Sequence, residues 1–179
     1  MNSIIRTCAA ITASLLLLVG AASAQAAFVT GAVSISSPQG AHPNHDLFNI
    51  INQSGLSATY TSGVTDFDVF AATTTGSGLS GSGFTNTSSR GPQQFTFDLG
   101  ALYTIDAIAL WNSGSSGSIT RFEVYSDTDA DFGNGTSGLL LAPAALSTST
   151  APAQVFGFTA TDTQFVHINA LVTTEPPDY

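Results

Sequence analysis

Residues 95–111, FTFDLGALYTIDAIALW, decide how this chain is read. Phe95, Phe97 and Leu99 alternate with Thr96 and Asp98. That is the period-2 pattern of a strand with one buried face. Gly100 and Ala101 interrupt it. A second apolar run, 105–111, ends at Asn112-Ser113-Gly114, a turn signal. Two runs so close together are expected to pair antiparallel as a hairpin at the centre of an all-β domain.

Working outward, further short strands are expected at 28–35, 119–126, 154–160 and 164–171, with an alternating piece at 66–70 (DFDVF) and a short apolar piece at 139–141. Ser36 to Gly40 ends the first strand. The only helical signal lies at 45–52, with Asp46 as N-cap, Leu47, Ile50 and Ile51 on one face, and Gly55 to close it. Residues 71–91 form a Thr/Ser/Gly tract with too few apolar side chains for a core, and read as a long surface loop. Short strands at regular intervals without a long helix predict an antiparallel β-sandwich or jelly roll.

The chain has 179 residues, enough for one domain. Residues 1–26 have the form of a secretory signal peptide. Arg6 supplies the positive start, 9–20 the apolar stretch, and Ala22-Ser23-Ala24 and Ala24-Gln25-Ala26 are small-x-small cleavage sites. The apolar stretch is short for a membrane span. The domain is therefore expected over 27–179, in a protein exported by a bacterium to the outside or the cell surface. The single cysteine, Cys8, falls in the leader. The remainder has no disulfide, thiolate metal site or cysteine nucleophile.

Charge excludes other classes. Lysine is absent, and beyond the leader Arg90 and Arg121 face twelve carboxylates. Such a surface repels phosphate backbones and anionic lipid, which argues against nucleic acid and membrane partners. Neutral partners or cations remain, and so does plain solubility.

Several residues suggest chemistry. Asp127, Asp129, Asp131 and Asn134 place oxygen ligands at alternate positions of one loop, as calcium would require. Phe132 and Gly138 stand where a helix–loop–helix calcium site would have its glycine and glutamate, so a solvated acidic turn is the competing reading. Asp66 and Asp68 share one side of an extended stretch, as ligand or cation contacts or as a solvated face. Arg90 ends the long loop, to hold sugar hydroxyls or to pair with a carboxylate. Trp111 ends a central strand beside Asn112. The ring could stack on a sugar while the amide donates hydrogen bonds, or it could be an ordinary core tryptophan. His42 and His45 read as exposed, and His167 as a hydrogen-bonded face residue. Motifs for a serine-hydrolase elbow, a zinc protease, a phosphate loop and a dinucleotide site are all missing.

Residues 92–100 (PQQFTFDLG) with 103–110 (YTIDAIAL) resemble the core of discoidin or coagulation-factor type C domains, members of the galactose-binding-like superfamily. So do 122–127 (FEVYSD), 154–158 (QVFGF) and 164–168 (QFVHI). The likeness spans roughly residues 28–171. It implies an eight-stranded jelly roll that binds ligands, often sugars, through the loops at one end, with calcium as a possible structural ion. Gln164 and His167 stand where that family usually has arginine. The family also closes with one more strand, whereas this chain ends Glu175-Pro176-Pro177-Asp178-Tyr179. The chain is therefore read as lacking its closing strand. The leader and small acidic sandwich also resemble bacterial exported proteins of the PEP-CTERM type, without their C-terminal tail.

Together these features predict a secreted, non-catalytic module that recognises carbohydrate or extracellular polysaccharide through Asp66, Asp68, Arg90, Trp111 and Asn112. The alternative is a structural extracellular-matrix or surface protein acting by adhesion or self-association.

Overall fold

The inward alternation of Phe95, Phe97 and Leu99 is realised in full: each is at most 2% exposed. A computed structural model describes residues 2–7, 27–40, 46–76, 93–112, 118–147 and 152–173. Seven strands are described: β1 (Asn2–Thr7), β2 (Phe28–Thr30), β3 (Ser34–Ser36), β4 (Gln93–Trp111), β5 (Ile119–Asp127), β6 (Gly138–Ala145) and β7 (Gln154–Thr173). Every pairing is antiparallel, in the order β2-β1-β4-β7-β5-β6, with β3 also on β4. The fold is an all-β antiparallel sandwich.

The expected central hairpin is instead one 19-residue strand. Its two apolar runs do not pair with each other; both pair with β7. Likewise the two expected last strands are one 20-residue strand. Gly100 reads as a break in sequence but acts as a bend. It takes φ +80°, its N–H donates to Asp98 Oδ1 at 2.8 Å, and the register shifts between Asp98 and Tyr103. A side chain is strained at that φ, and a Cβ there would sit 3.2 Å from Val33 Cγ2. The strand bends through this bulge and continues.

The bend lets β4 and β7 run through both layers. One layer holds β3, the first half of β4, the second half of β7, β5 and β6. The other holds β2, β1, and the remaining halves of β4 and β7. Between them lies the main core: Phe95, Phe97, Phe122, Val124, Val166 and Ile168 from one side, Ile5, Ile108 and Leu110 from the other. Each fully buried aromatic contributes about 2–3 kcal/mol of apolar burial.

Residues 107–111 are apolar on both faces because both faces are covered. Ala107, Ala109 and Trp111 point away from the main core into a second cluster with Ile4, Val29, Phe67, Phe70 and Ala71. The cover is a helix, α1 (Phe67–Thr73), where the alternation of 66–70 had predicted an extended piece. Asp66 caps it by accepting from Val69 N at 2.9 Å. Phe67, Phe70 and Ala71, spaced i, i+3, i+4, are its buried face. The helical signal at 45–52 yields a short 3-10 helix, Leu47–Ile50, with Asp46 at its N-cap.

β1 comes from the segment read as the start of a leader. In the structure it lies inside the sheet, paired on both sides, with Ile4 and Ile5 at most 2% exposed. Among the described residues no helix is long and apolar enough to cross a membrane.

Gly100→Ala is expected to lower the unfolding free energy by about 1–2 kcal/mol. Gly157→Ala has an ordinary φ and 3.9 Å of room to the nearest atom, Asp106 O, and should change stability by less than about 0.5 kcal/mol. Urea denaturation of the two variants checks the contrast.

Candidate functional site

The outward-facing positions of the first layer are polar, as alternation requires of a strand with one wet face. Across β4, β7 and β5 they line up in rows. Thr96 faces His167, and His167 faces Tyr125; Gln94 faces Asn169, and Asn169 faces Glu123. Asn169 Nδ2 donates to Glu123 Oε2 at 3.2 Å, and Tyr125 Oη donates to the same oxygen at 2.9 Å. Burial, together with that carboxylate, pushes the Tyr125 hydroxyl pKa up.

The loop that follows β5 folds back over these rows. Its turns are built by side chains accepting from backbone N–H groups two residues on. Asp129 Oδ1 takes Asp131 N at 2.8 Å, Asp131 Oδ1 takes Gly133 N at 3.0 Å, and Asn134 Oδ1 takes Thr136 N at 2.9 Å. Asp127, with a fully buried side chain, takes Thr128 N at 2.7 Å and Thr136 Oγ1 at 2.9 Å. The chain is thereby turned so that Phe132 lands on the sheet, 4.9 Å from the Tyr125 ring and 4.9 Å from that of His167.

The space between this loop, β4 and the 36–38 segment is a cleft of about 500 Å³. Gln94, Thr96, His167, Asp131, Phe132 and Ser37 line it, among others. Gln39 ties its far wall down: Gln39 Oε1 accepts from Ser37 Oγ at 3.0 Å and from Gln94 N at 3.1 Å. The cleft therefore offers an aromatic ring, hydroxyls, an amide and a carboxylate around one concavity. An apolar ring face with a few converging polar groups suits a small polyhydroxy ligand.

His167 anchors the floor. It is 2% exposed, and its Nδ1 shares a 2.9 Å hydrogen bond with Thr96 Oγ1. Its Nε2 is buried without a hydrogen bond, 3.7 Å from Asp127 Oδ2. Burial lowers its pKa below the ordinary value near 6.5, against the opposing pull of Asp127, Asp129 and Asp131. Burial thus favours the neutral ring, and the hydrogen-bonded face residue expected from sequence is a cleft residue as well.

The sequence-derived site residues are not gathered in one place. Asp66 caps α1. Asp68 stands in its first turn, 3.8 Å from Arg6 Nη2. Trp111 is packed at the other end of that helix, about 10 Å along its axis. It is 3% exposed, its ring centre lies 5.9 Å from that of Phe70, and Nε1 donates to Thr74 O at 2.7 Å. No face of the indole is open. Asn112 is 4% exposed, and its amide donates to Ile119 O at 2.6 Å and Ser147 O at 2.9 Å. Arg90, His42 and His45 lie outside the described residues.

Calcium takes six to eight oxygens at about 2.3–2.6 Å. Asp127, Asp129 and Asp131 turn oxygens onto their own loop's N–H groups instead. Among the described residues no three His, Cys, Asp or Glu side chains gather as a metal site.

Phe132, Thr96 and Gln94 were not singled out as site residues from sequence. The available signal was an aromatic set in an Asp/Asn-rich loop. Such a loop closes through its own side chains, and an aromatic inside it needs a surface to rest on.

No family model and no curated protein sequence matches the chain. Solved structures do. The first carbohydrate-binding module, of family 32, from a family 31 glycoside hydrolase of Clostridium perfringens superposes with TM-score 0.51. It is 16% identical, over 82% of this chain and 87% of that one. The family 32 module of C. perfringens NanJ, solved with galactose, gives TM-score 0.50 at 15% identity, over 78% and 82% of the two chains. The likeness is one of fold: the chain has the β-sandwich of family 32 carbohydrate-binding modules.

Stability is expected to be complete above about pH 6.5 and to fall as pH drops below it. The unfolded chain then takes up a proton at His167 that the folded ring, with its lowered pKa, resists. Melting curves between pH 7.5 and 5 should show His167→Asn losing part of that slope. Calcium at millimolar concentration should leave the melting temperature unchanged; a rise of several degrees would show the loop rearranging around the ion.

Proposed function

We propose that this chain is a secreted, non-catalytic module that binds a neutral carbohydrate in the cleft lined by Phe132. The observation that carries the reading is an aromatic ring beside polar groups in one cleft: Phe132, resting on the His167 ring, lines it together with Thr96, Gln94 and Asp131. A pyranose has an apolar face and an equatorial rim of hydroxyls, and the cleft presents a match for each. The formal charge of −9 disfavours anionic sugars. The shared fold with family 32 modules, one of them solved with galactose, supports a sugar as the ligand class.

Export to the extracellular space or cell surface rests on the leader-like 1–26 segment. An extracellular polysaccharide is the natural partner for such a module. The second reading, a matrix or surface protein acting by self-association, is favoured by one feature. Among the described residues β6 pairs on one side only, and its Leu139 is 55% exposed.

Isothermal titration with galactose and neutral oligosaccharides tests the first reading. Phe132→Ala should weaken binding about 10-fold, the worth of one aromatic contact, and Asp131→Ala by a similar factor. Both should keep the native circular dichroism. No binding to any neutral glycan, together with concentration-dependent association lost in Leu139→Lys, would favour the second reading.

A further inference from the structure

We propose that the slot between β2 and residues 105–111 of β4 is a strand-receiving site. It holds an extended segment with two adjacent branched apolar residues followed by arginine, and its occupant is the chain's own Asn2–Thr7.

Three features define the specificity. The first is the backbone. β1 pairs with β4 from Asn2↔Trp111 to Thr7↔Ile105 and with β2 from Ile5↔Thr30 to Thr7↔Phe28. The slot therefore satisfies an incoming strand on both edges, and fixes its direction as antiparallel to β4.

The second is a pair of apolar pockets on opposite faces. Ile5, opposite Ile108, enters the main core, while Ile4, opposite Ala109, enters the cluster under α1. Alternation sends adjacent side chains to opposite faces. Ile4 lies over Ala107 and Ala109, whose small side chains leave room for a branched one. A strand with only one apolar face would bury a polar group in one of the two pockets.

The third is a charge. Arg6 sits opposite Ala107 with Nε 3.4 Å from Asp106 Oδ1, Nη2 3.8 Å from Asp68 Oδ2, and its guanidinium 5.9 Å from the Phe67 ring centre. Two carboxylates and an aromatic face converge on one cation in a chain with few cations to offer. This gives Asp68 a partner, and it distinguishes a correctly registered strand from one slipped by a residue, which would turn its arginine to the other face.

The strand is joined to the rest of the domain through residues 8–26, the segment that carries the small-x-small cleavage sites. A cut there would leave Asn2–Thr7 held by non-covalent contacts alone, in a site that any segment of the same chemistry could contest.

The test keeps the full chain. A protease recognition sequence is placed within residues 20–24, the protein is folded, and then it is cut. We expect the amino-terminal fragment to travel with the body through gel filtration and native mass spectrometry. A synthetic peptide of residues 2–7 in excess should displace it. The same peptide with Arg6→Glu should do so at least 10-fold less well. In the cut protein, Ile5→Asp and Arg6→Glu should each speed release at least 10-fold. Release of the fragment from the unaltered cut protein, whether or not the body keeps its structure, overturns the proposal. So does retention that neither substitution changes.

Discussion

The pairing of β4 with β7 is the constraint on which the rest of the molecule depends. Each strand is long enough to serve both layers, and each must bend to do so. Their ladder runs from Gln93↔Ala170 to Leu110↔Gln154, broken by two irregularities. Those two irregularities are what allow one ribbon to become two faces of a sandwich. Every other strand attaches to this ribbon or to a strand that does. β3 and β1 add to β4, β5 adds to β7, and the core fills the angle between the layers.

The two layers then differ in how they treat their outer faces. Over β4 the second layer covers its outer face with α1, so 107–111 is apolar throughout and Trp111 packs against the helix. The first layer leaves its outer face polar and lets a loop fold over it. That loop is closed by its own carboxylates and amides, the same groups that make it resemble a calcium site. The same closure places Phe132 on the rows of Thr96, His167 and Tyr125. A binding cleft arises there because the polar face is only partly covered. The corresponding face of the second layer is covered by α1 along β4 and open at Val155 of β7.

Much of the fold was legible because period-2 alternation is a direct record of one-sided burial. Phe95–Phe97–Leu99 and Phe122–Val124 show it plainly. Continuity was not legible. A glycine such as Gly100 marks a stop or a bulge with the same letter, and only the register with β7 separates the two. Helix α1 was hidden for a related reason. In DFDVF the period-2 signal from Phe67 and Val69 is as strong locally as the 3.6-residue signal from Phe67, Phe70 and Ala71. The apolar sheet waiting beneath decided the outcome. The site was less legible still. A tryptophan at a strand end looks the same whether it faces a ligand or a helix. The residues that do line a cleft come from four distant segments, whose outward side chains look like ordinary solvent-facing positions.

The most direct measurement is a galactose titration followed by amide chemical shifts in the two-dimensional proton–nitrogen spectrum. The account predicts that the shifts concentrate at Gln94, Thr96, His167 and residues 131–133, while those of α1 and Trp111 stay in place. Shifts centred on α1, Trp111 and Asn112, with the cleft lined by Phe132 silent, would contradict it.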